Sequence, residues 1–170
     1  MKGLIILGAG GFGTTIADVV TETNLYDEIL FLDDNSLKNE VCGKCNEYIF
    51  YDCENYDVYP AFGNNELRLL WISKLTKEGY KIPNIIHPTA YISKTVKLGY
   101  GNVILPMAVV NTDCVIGNGC IINCGAILDH ECTISDGVHI CLGAIVKANN
   151  NISECTKIEA GKIVMNGVYT

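Results

Sequence analysis

The chain has 170 residues, of which 49% are hydrophobic, and a formal net charge of −7. This length allows one ordinary domain or two small ones. The acidic balance argues against nucleic acid as a partner, and no apolar stretch is long enough to span a membrane. Because no secretion signal is recognisable, we expect a cytoplasmic, soluble protein with reduced thiols.

A glycine-rich loop at residues 8–13 has the spacing G-x-G-x-x-G and lies between a predicted strand and a predicted helix. Glycines allow a tight turn in which backbone N–H groups approach a phosphate, and the helix N-terminus adds a favourable dipole. Asp33 and Asp34 end the second predicted strand, where an acid can bind a ribose hydroxyl. This order favours a nucleotide site over the alternative, a strand-to-helix turn without a ligand.

The remaining elements of this half follow in order. Strands are predicted at residues 2–7, 28–32, 58–62 and 81–86, and helices at 14–23 and from about 63 to 77. In the second helix we expect Leu67, Leu70 and Trp71 to face inward, whereas residues 35–57 are predicted to be irregular. An NAD site would need two βαβαβ halves. The room available, residues 1–86, suits a sugar nucleotide better, and His87-Pro88 marks the boundary with a second domain, 87–170.

The second domain repeats with a period of six. Every sixth residue from Ile92 to Val164 is aliphatic, and the residue four places later is mostly small. This period fits neither an amphipathic helix nor a single strand. It is typical of a hexapeptide β-solenoid, in which three hexads close one triangular coil. Asparagines at 149–151 fall on a corner, so we expect the late coils to be irregular.

The nine cysteines do not predict a metal site. Cys114, Cys120 and Cys132 occupy small corner positions, where free Cys acts as a buried apolar residue. Cys42 and Cys45 form a single C-x-x-C without a nearby His, whereas structural zinc needs four ligands. We therefore expect no metal.

Two histidines are candidates for chemistry. His130 and Glu131 interrupt the hexads at a turn, where side chains point outward; a neutral His can act as a general base. The alternative is a solvated, charged turn. His139 lies nine residues later, on a different face, so the two could share a site only across a subunit contact. The late lysines 147, 157 and 162 are candidates for phosphate contacts with a coenzyme.

The chain resembles bacterial sugar O- and N-acetyltransferases of the sialic-acid O-acetyltransferase type, and most of all the UDP-4-amino-sugar N-acetyltransferases. The resemblance lies in GAGGFG at 8–13, FLDD at 31–34, FGNNELR at 62–68, IIHPTAYIS at 85–93, the hexads, and LDHECTISDGVHICLGA at 128–144. It implies an α/β, Rossmann-like N-terminal domain followed by a left-handed parallel β-helix. It also implies a homotrimer that binds acetyl-CoA in grooves between adjacent β-helices and a sugar nucleotide in the N-terminal domain.

The resemblance also implies roles for individual residues. His130 would be the general base, Glu131 would raise its basicity, and His139 would hydrogen-bond the thioester or acetyl group. Gly143 and Ala148 would line the coenzyme. The residues that would contact the nucleotide sugar are Gly10, Gly11, Phe12, Asp33, Asp34 and Gly63.

We therefore predict an acetyl-CoA-dependent acetyltransferase acting on an amino group of a nucleotide-linked sugar. The alternatives are O-acetylation of a sialic acid or other small acceptor, and a catalytically inactive trimeric sugar-nucleotide-binding module. Three departures from the family favour an incomplete coenzyme groove or a different acceptor: Phe12 where His is common, Ala148 where Gly is expected, and a short C-terminal end.

Overall fold

The structure is a computed structural model of the chain and describes residues 2–35 and 38–165. It divides into two compact units between Pro83 and Asn84, and each is described by itself. The predicted domain boundary, between residues 86 and 87, lies three residues further along the chain. The reason for the difference is that residues 85 and 86 form the first strand of the second unit rather than the last strand of the first.

The described residues of the first unit form a four-stranded parallel sheet with the strand order β3-β2-β1-β4. The strands are β1 (Gly3–Leu7), β2 (Glu28–Leu32), β3 (Val41–Gly43) and β4 (Tyr56–Pro60), and the helices are α1 (Gly11–Thr23), α2 (Asn65–Lys77) and a 3₁₀ helix at Cys45–Phe50. All five residues of β1 are buried, because this apolar strand lies between β2 and β4. No helix in the described part of the chain is both long and apolar enough to cross a bilayer.

Two sequence predictions for the strands and loops of this unit were wrong in detail. The third predicted strand lies at Tyr56–Pro60, and its position at the sheet edge explains why a proline is tolerated. The segment 35–57 is not irregular throughout, since it contains β3 and the 3₁₀ helix.

Helix α2 is also rotated relative to the prediction. Leu67 and Leu70 are 40% and 66% exposed, whereas Arg68, Ile72 and Leu75 are buried. Arg68 occupies the buried side of the helix, where its guanidinium group donates from Nη1 to the Phe62 carbonyl and from Nη2 to Asn65 Oδ1, both at 2.9 Å. These bonds compensate the burial of a charged side chain.

The second unit is a left-handed parallel β-helix, as predicted. Its two-residue strands β5 to β18 are, in chain order, Ile85–Ile86, Tyr91–Ile92, Lys97–Leu98, Val103–Ile104, Val109–Val110, Val115–Ile116, Ile121–Ile122, Ile127–Leu128, Thr133–Ile134, His139–Ile140, Ile145–Val146, Asn151–Ile152, Lys157–Ile158 and Ile163–Val164. Each strand pairs in parallel with the third strand after it, one coil later, as Ile121 does with His139. The coil therefore has three faces: face one (β5, β8, β11, β14, β17), face two (β6, β9, β12, β15, β18) and face three (β7, β10, β13, β16).

The predicted period corresponds to the core of the coil. The aliphatic residue of each hexad is the second residue of a strand and points into one continuous cluster that runs from Ile104 to Val164. The small corner residues Cys114, Cys120 and Cys132 are fully buried in the same cluster, as predicted.

The prediction of irregular late coils was wrong. Strands β16, β17 and β18 pair in register with the strands one coil earlier. Asn150 is buried at the corner, and its Nδ2 donates to the Lys147 carbonyl at 2.8 Å. An asparagine can thus occupy a small-residue corner because its side chain forms a hydrogen bond there.

Candidate active site

The glycine-rich loop turns back tightly onto the first turn of α1. Gly8 has a φ of +103°, in the left-handed region, and its N–H donates to the Leu32 carbonyl at 2.8 Å. A Cβ at Gly13 would lie 1.9 Å from the Gly8 carbonyl oxygen, so this close approach requires glycine. A Cβ added at Gly10 or Gly11 would meet no atom within 4 Å, which leaves the outer side of the loop open.

The acids that follow β2 organise this loop and its surroundings. Asp33 accepts the Ala9 N–H at Oδ2 (2.7 Å) and the Asn35 N–H at Oδ1 (2.8 Å). Asp34 accepts the Cys45 N–H at Oδ1 (3.0 Å). Both carboxylates therefore connect the end of β2 to neighbouring backbone, in addition to any role with a ligand.

These segments surround a cavity of about 560 Å³. The described residues that line it are Gly8, Gly10, Asp33, Asp34, Asn35, Cys45, Ala61, Phe62, Gly63, Asn64, Leu67 and Trp71. Four of the residues predicted to contact the sugar nucleotide are among them: Gly10, Asp33, Asp34 and Gly63. Gly11 and Phe12 are not. Sequence reasoning missed Leu67 and Trp71 because it placed these apolar residues in the protein core, whereas they form a wall of the cavity.

Cys45 contributes a protonated thiol to the cavity. Burial, and secondly the negative charge of Asp34, raise the pKa of the Cys45 thiol to about 11. Its Sγ lies 3.5 Å from the Leu32 carbonyl, to which it donates. A thiol with this pKa is a poor nucleophile at neutral pH, so Cys45 lines the site without reacting. In the described part of the chain, no group of three or more His, Cys, Asp or Glu side chains is arranged to hold a metal ion.

In the second unit, His130 lies on an exposed turn that follows β12 and is held by its backbone. The His130 N–H donates to Asp129 Oδ1 at 2.9 Å. The carbonyl of His130 accepts the Asn149 N–H from the next coil at 3.2 Å, and the Glu131 N–H donates to the Thr112 carbonyl of the previous coil at 2.9 Å. Glu131 adopts a left-handed φ of 58°. Hydrogen bonds to the neighbouring coils thus fix the backbone position from which the His130 side chain extends.

The imidazole ring is oriented by Glu131. Nδ1 of His130 lies 2.9 Å from Glu131 Oε2, and the two side chains are 46% and 57% exposed. A carboxylate can only accept, so Nδ1 carries the proton and donates it to this bond. The lone pair is then on Nε2, the nitrogen that a base needs to direct outward.

His139 lies elsewhere on the coil. It begins β14 on face one, whereas His130 follows a strand of face two. The Asn123 amide Nδ2 lies 3.1 Å from His139 Nε2 and donates to it, which leaves the ring proton on Nδ1. Within one chain, the structure does not bring the two histidines onto the same face.

Residues predicted to line a coenzyme occupy two corners. Gly143 is exposed, has a φ of 62°, and donates its N–H to the Cys124 carbonyl at 3.0 Å. Ala148 lines a cavity of about 360 Å³ with Asp129, Lys147 and Met165. This cavity lies beside the His130 turn, because Asp129 directly precedes His130 and Ala148 occupies the equivalent position one coil later.

The other two late lysines are exposed. The Lys157 ammonium group forms an ion pair with Glu159 at 3.1 Å, and this neighbour raises the pKa of Lys157.

Residues 3–75 match the family described as the PglD N-terminal domain. Nearly the whole chain is similar to the acetyltransferase domain of PglB from Neisseria gonorrhoeae, with 32% identity, a TM-score of 0.91, and coverage of 96% of this chain and 82% of that one. The same domain in complex with acetyl coenzyme A is 34% identical, with a TM-score of 0.91 and coverage of 95% and 81%.

A second similar structure is PerB from Caulobacter crescentus in complex with CoA and GDP-perosamine. Its identity to this chain is 25%, its TM-score 0.83, and the coverage 97% of this chain and 89% of that one. These similarities confirm the predicted class of enzyme. The chain belongs to the hexapeptide-repeat family of sugar N-acetyltransferases with a PglD-type N-terminal domain.

Proposed function

We propose that this protein transfers an acetyl group from acetyl-CoA to the amino group of a nucleotide-linked sugar, with His130 as the general base. The observation that carries the proposal is the hydrogen bond between His130 Nδ1 and Glu131 Oε2 on an exposed turn beside a cavity. That bond selects the tautomer in which Nε2 can accept a proton. The donor is acetyl-CoA, with which the PglB domain has been solved.

The reaction is a direct acyl transfer. The sugar amine attacks the thioester carbonyl carbon, a C–N bond forms, and the C–S bond breaks to release the CoA thiolate. His130 Nε2 takes the proton that the nitrogen loses and passes it to the thiolate, so atoms and charge balance. Glu131 keeps the ring oriented and stabilises the imidazolium that exists between these two steps. Positioning of the two substrates contributes the rest of the acceleration.

His139 is proposed to hydrogen-bond the acetyl or thioester group. Because Nδ1 of its ring is buried and Nε2 accepts from Asn123, this contact requires the substrate to take the place of Asn123 at Nε2. Gly143 lines the coenzyme through its backbone surface; its N–H is already donated to Cys124. Because His130 and His139 lie on different faces of one coil, a shared site requires two copies of the chain.

A homotrimer is therefore part of the proposal. Face two presents an outward row in which each member is the first residue of a strand. The row consists of Tyr91, Val109, Ile127, Ile145 and Ile163. All five are apolar, and Tyr91, Ile127 and Ile163 are 57%, 37% and 55% exposed. A continuous apolar row on a surface marks a contact region, and we propose that neighbouring copies cover it.

The acceptor is proposed to bind through its nucleotide in the cavity of the first unit. The cavity volume of about 560 Å³ is in the range of small-molecule sites. The sequence resemblance favours a UDP-linked 4-amino sugar, whereas PerB was solved with GDP-perosamine. The test therefore compares sugars that carry different nucleobases.

The sequence differs from the family in its late coils, its C-terminal residues and Phe12, and these differences affect the proposal to different degrees. The late coils are regular as far as Val164, which supports a complete coenzyme wall over the described coils. Residues 166–170, where the short tail falls, lie outside the described residues. Phe12 is half-buried and is not among the cavity-lining residues, and it remains a candidate contact for the sugar.

The test is release of CoA thiol on mixing the protein with acetyl-CoA and UDP-, GDP- or dTDP-linked 4-amino sugars, with a sialic acid as the hydroxyl acceptor. We expect turnover with an amino sugar on one nucleotide and none with the sialic acid. Calorimetry with acetyl-CoA alone separates the enzyme from a binding module. A protein that binds a UDP-sugar, gives no heat with acetyl-CoA and never releases CoA would contradict the proposal.

A further inference from the structure

The nucleotide cavity has an unbalanced charge. A nucleotide sugar carries two negative charges on its diphosphate, whereas the charged residues among those that line the cavity in the described structure are Asp33 and Asp34. The positive end of α1 supplies roughly half a charge. The buried Arg68 guanidinium is directed at Phe62 and Asn65 instead. A cation from outside the lining would therefore add to the backbone N–H groups and the helix dipole in balancing the charge of a diphosphate.

Lys38 has the position to supply it. Its Nζ donates to the Ala9 carbonyl at 2.8 Å, and Ala9 lies between Gly8 and Gly10, both of which line the cavity. The ammonium group is thus anchored on the glycine-rich loop, the segment where a diphosphate meets a helix N-terminus in this class of fold. A phosphate bound at Gly10, the residue after Ala9, would lie next to the peptide group that holds this ammonium group.

The contact of Lys38 with Glu40 is easily exchanged. Nζ lies 3.7 Å from Glu40 Oε1, and the two side chains are 46% and 56% exposed. Exposed ion pairs of this kind contribute little, so a diphosphate that carries more negative charge can replace Glu40 while the bond to Ala9 is kept.

Lys44 is the competing cation, and its location differs. Its Nζ donates to the Asp34 carbonyl, beside the acids that follow β2 rather than on the glycine-rich loop. In this class of fold those acids are at the ribose end of the nucleotide. Lys44 is therefore expected to contribute less to diphosphate binding than Lys38.

We infer that Lys38 binds the diphosphate of the nucleotide sugar, with the bond to Ala9 holding its ammonium group at the glycine-rich loop. The inference rests on the proposed function, because it assumes that the cavity takes a nucleotide. It assigns a binding role to a residue in the segment 35–57, in which sequence reasoning found no candidate.

The experiment measures UDP and GDP binding to the full chain by calorimetry at about 30 mM and 300 mM salt, concentrations at which the Debye length falls from about 18 Å to about 6 Å. The variants are Lys38→Met, Lys38→Arg, Lys44→Met and Glu40→Gln, with Lys77→Met, at the exposed end of α2, as the matched control. A thermal melt of each variant verifies folding.

We expect Lys38→Met to weaken binding of the tighter nucleotide about tenfold at low salt, as for loss of a charge-assisted hydrogen bond. It should also flatten the salt dependence. Lys38→Arg should lose less, Glu40→Gln should tighten binding up to about threefold by removing a competing charge, and Lys44→Met and Lys77→Met should have smaller effects than Lys38→Met.

Two outcomes overturn the inference and are distinguishable. If the wild-type chain binds UDP or GDP and Lys38→Met binds it equally well, or Lys44→Met is the variant that loses affinity, then Lys38 is not the diphosphate ligand. If the wild-type chain binds neither UDP nor GDP, the proposed nucleotide site itself is wrong.

Discussion

The two candidate sites of this chain are built in different ways. The proposed nucleotide cavity of the first unit combines the glycine-rich loop, the end of β2, the start of the 3₁₀ helix and the start of α2. The proposed acetyl-transfer site is centred on a single turn, residues 129–131, of the β-helix, in which each strand pairs with the strand one coil earlier.

This difference determines what a substitution can teach. In the first unit, Asp33 and Gly13 are needed to close the loop itself, so changing them alters folding and binding together. In the β-helix, the turn that carries His130 has a counterpart one coil earlier with the same backbone conformation, since Asp113 and Glu131 have φ values of 59° and 58°. The repeat thus provides control positions where chemistry can change without a change in fold.

The largest effect is expected at His130. His130→Ala should lower kcat roughly 10²- to 10⁴-fold, the usual range for loss of a general base, with little change in melting temperature because the side chain is exposed. Thr112→Ala, at the equivalent position one coil earlier, should keep full activity. Steady-state CoA release and a thermal melt measure both.

Glu131→Gln sharpens the same comparison. Gln can still accept from Nδ1 but has no negative charge, so kcat should fall less than in His130→Ala while KM for the acceptor is kept. Full activity in His130→Ala with every acceptor would show that the turn is only a solvated corner, the alternative raised by the sequence.

The second prediction concerns the row on face two. If the chain forms the proposed trimer, Ile127→Asp should convert it to monomers, because an unpaired charge would be buried at the contact. Val115→Asp, on face three, is the matched control: Val115 is also the first residue of its strand and is 40% exposed, compared with 37% for Ile127. It should remain trimeric.

Sedimentation velocity distinguishes these states, and the acetyl-transfer rate should fall with the trimer if the site is shared between copies. A wild-type chain that is monomeric at micromolar concentration, or equal dissociation of both variants, would show that face two is not the contact.

The third prediction tests the first unit. Gly13→Ala should lower the free energy of unfolding by about 2 to 3 kcal/mol, since its Cβ would meet the rigid backbone oxygen of Gly8. Gly11→Ala has open space around its Cβ and should stabilise α1 by up to about 1 kcal/mol. Denaturant unfolding of both variants measures the difference, and equal effects would mean that the loop is less tightly closed than described.

The sequence predicted the β-helix almost residue by residue, because each core residue packs against residues at a fixed distance along the chain. Each aliphatic residue at a hexad head meets its counterpart three hexads away, so the period alone gives strand positions and registers. The corners were harder. An asparagine such as Asn150 is polar by type, and only its hydrogen bond to the Lys147 carbonyl shows that it fits a buried corner.

The first unit was less predictable for a physical reason. Leu67 and Trp71 line a cavity, whereas Arg68 of the same helix is buried and donates N–H groups of its guanidinium to Phe62 and Asn65. The tertiary fold brings these hydrogen-bond acceptors to Arg68, and the hydropathy pattern of the sequence does not predict them. Lys38 was not predicted for the same reason, since its hydrogen bond to the Ala9 carbonyl joins residues that are 29 positions apart.

The smallest effect is expected at Asp129, whose carboxylate holds the backbone of the His130 turn. Asp129→Ala should remove this bond and lower kcat about fivefold, in line with a loss of about 1 kcal/mol from a backbone hydrogen bond. Asp129→Asn should restore most of the rate, because Asn111 accepts the Thr112 N–H at 3.0 Å in the equivalent turn one coil earlier. The KM for acetyl-CoA separates positioning from binding: a rise in KM without a fall in kcat, in both variants, would mean that Asp129 contacts the coenzyme in its adjacent cavity rather than orienting the base.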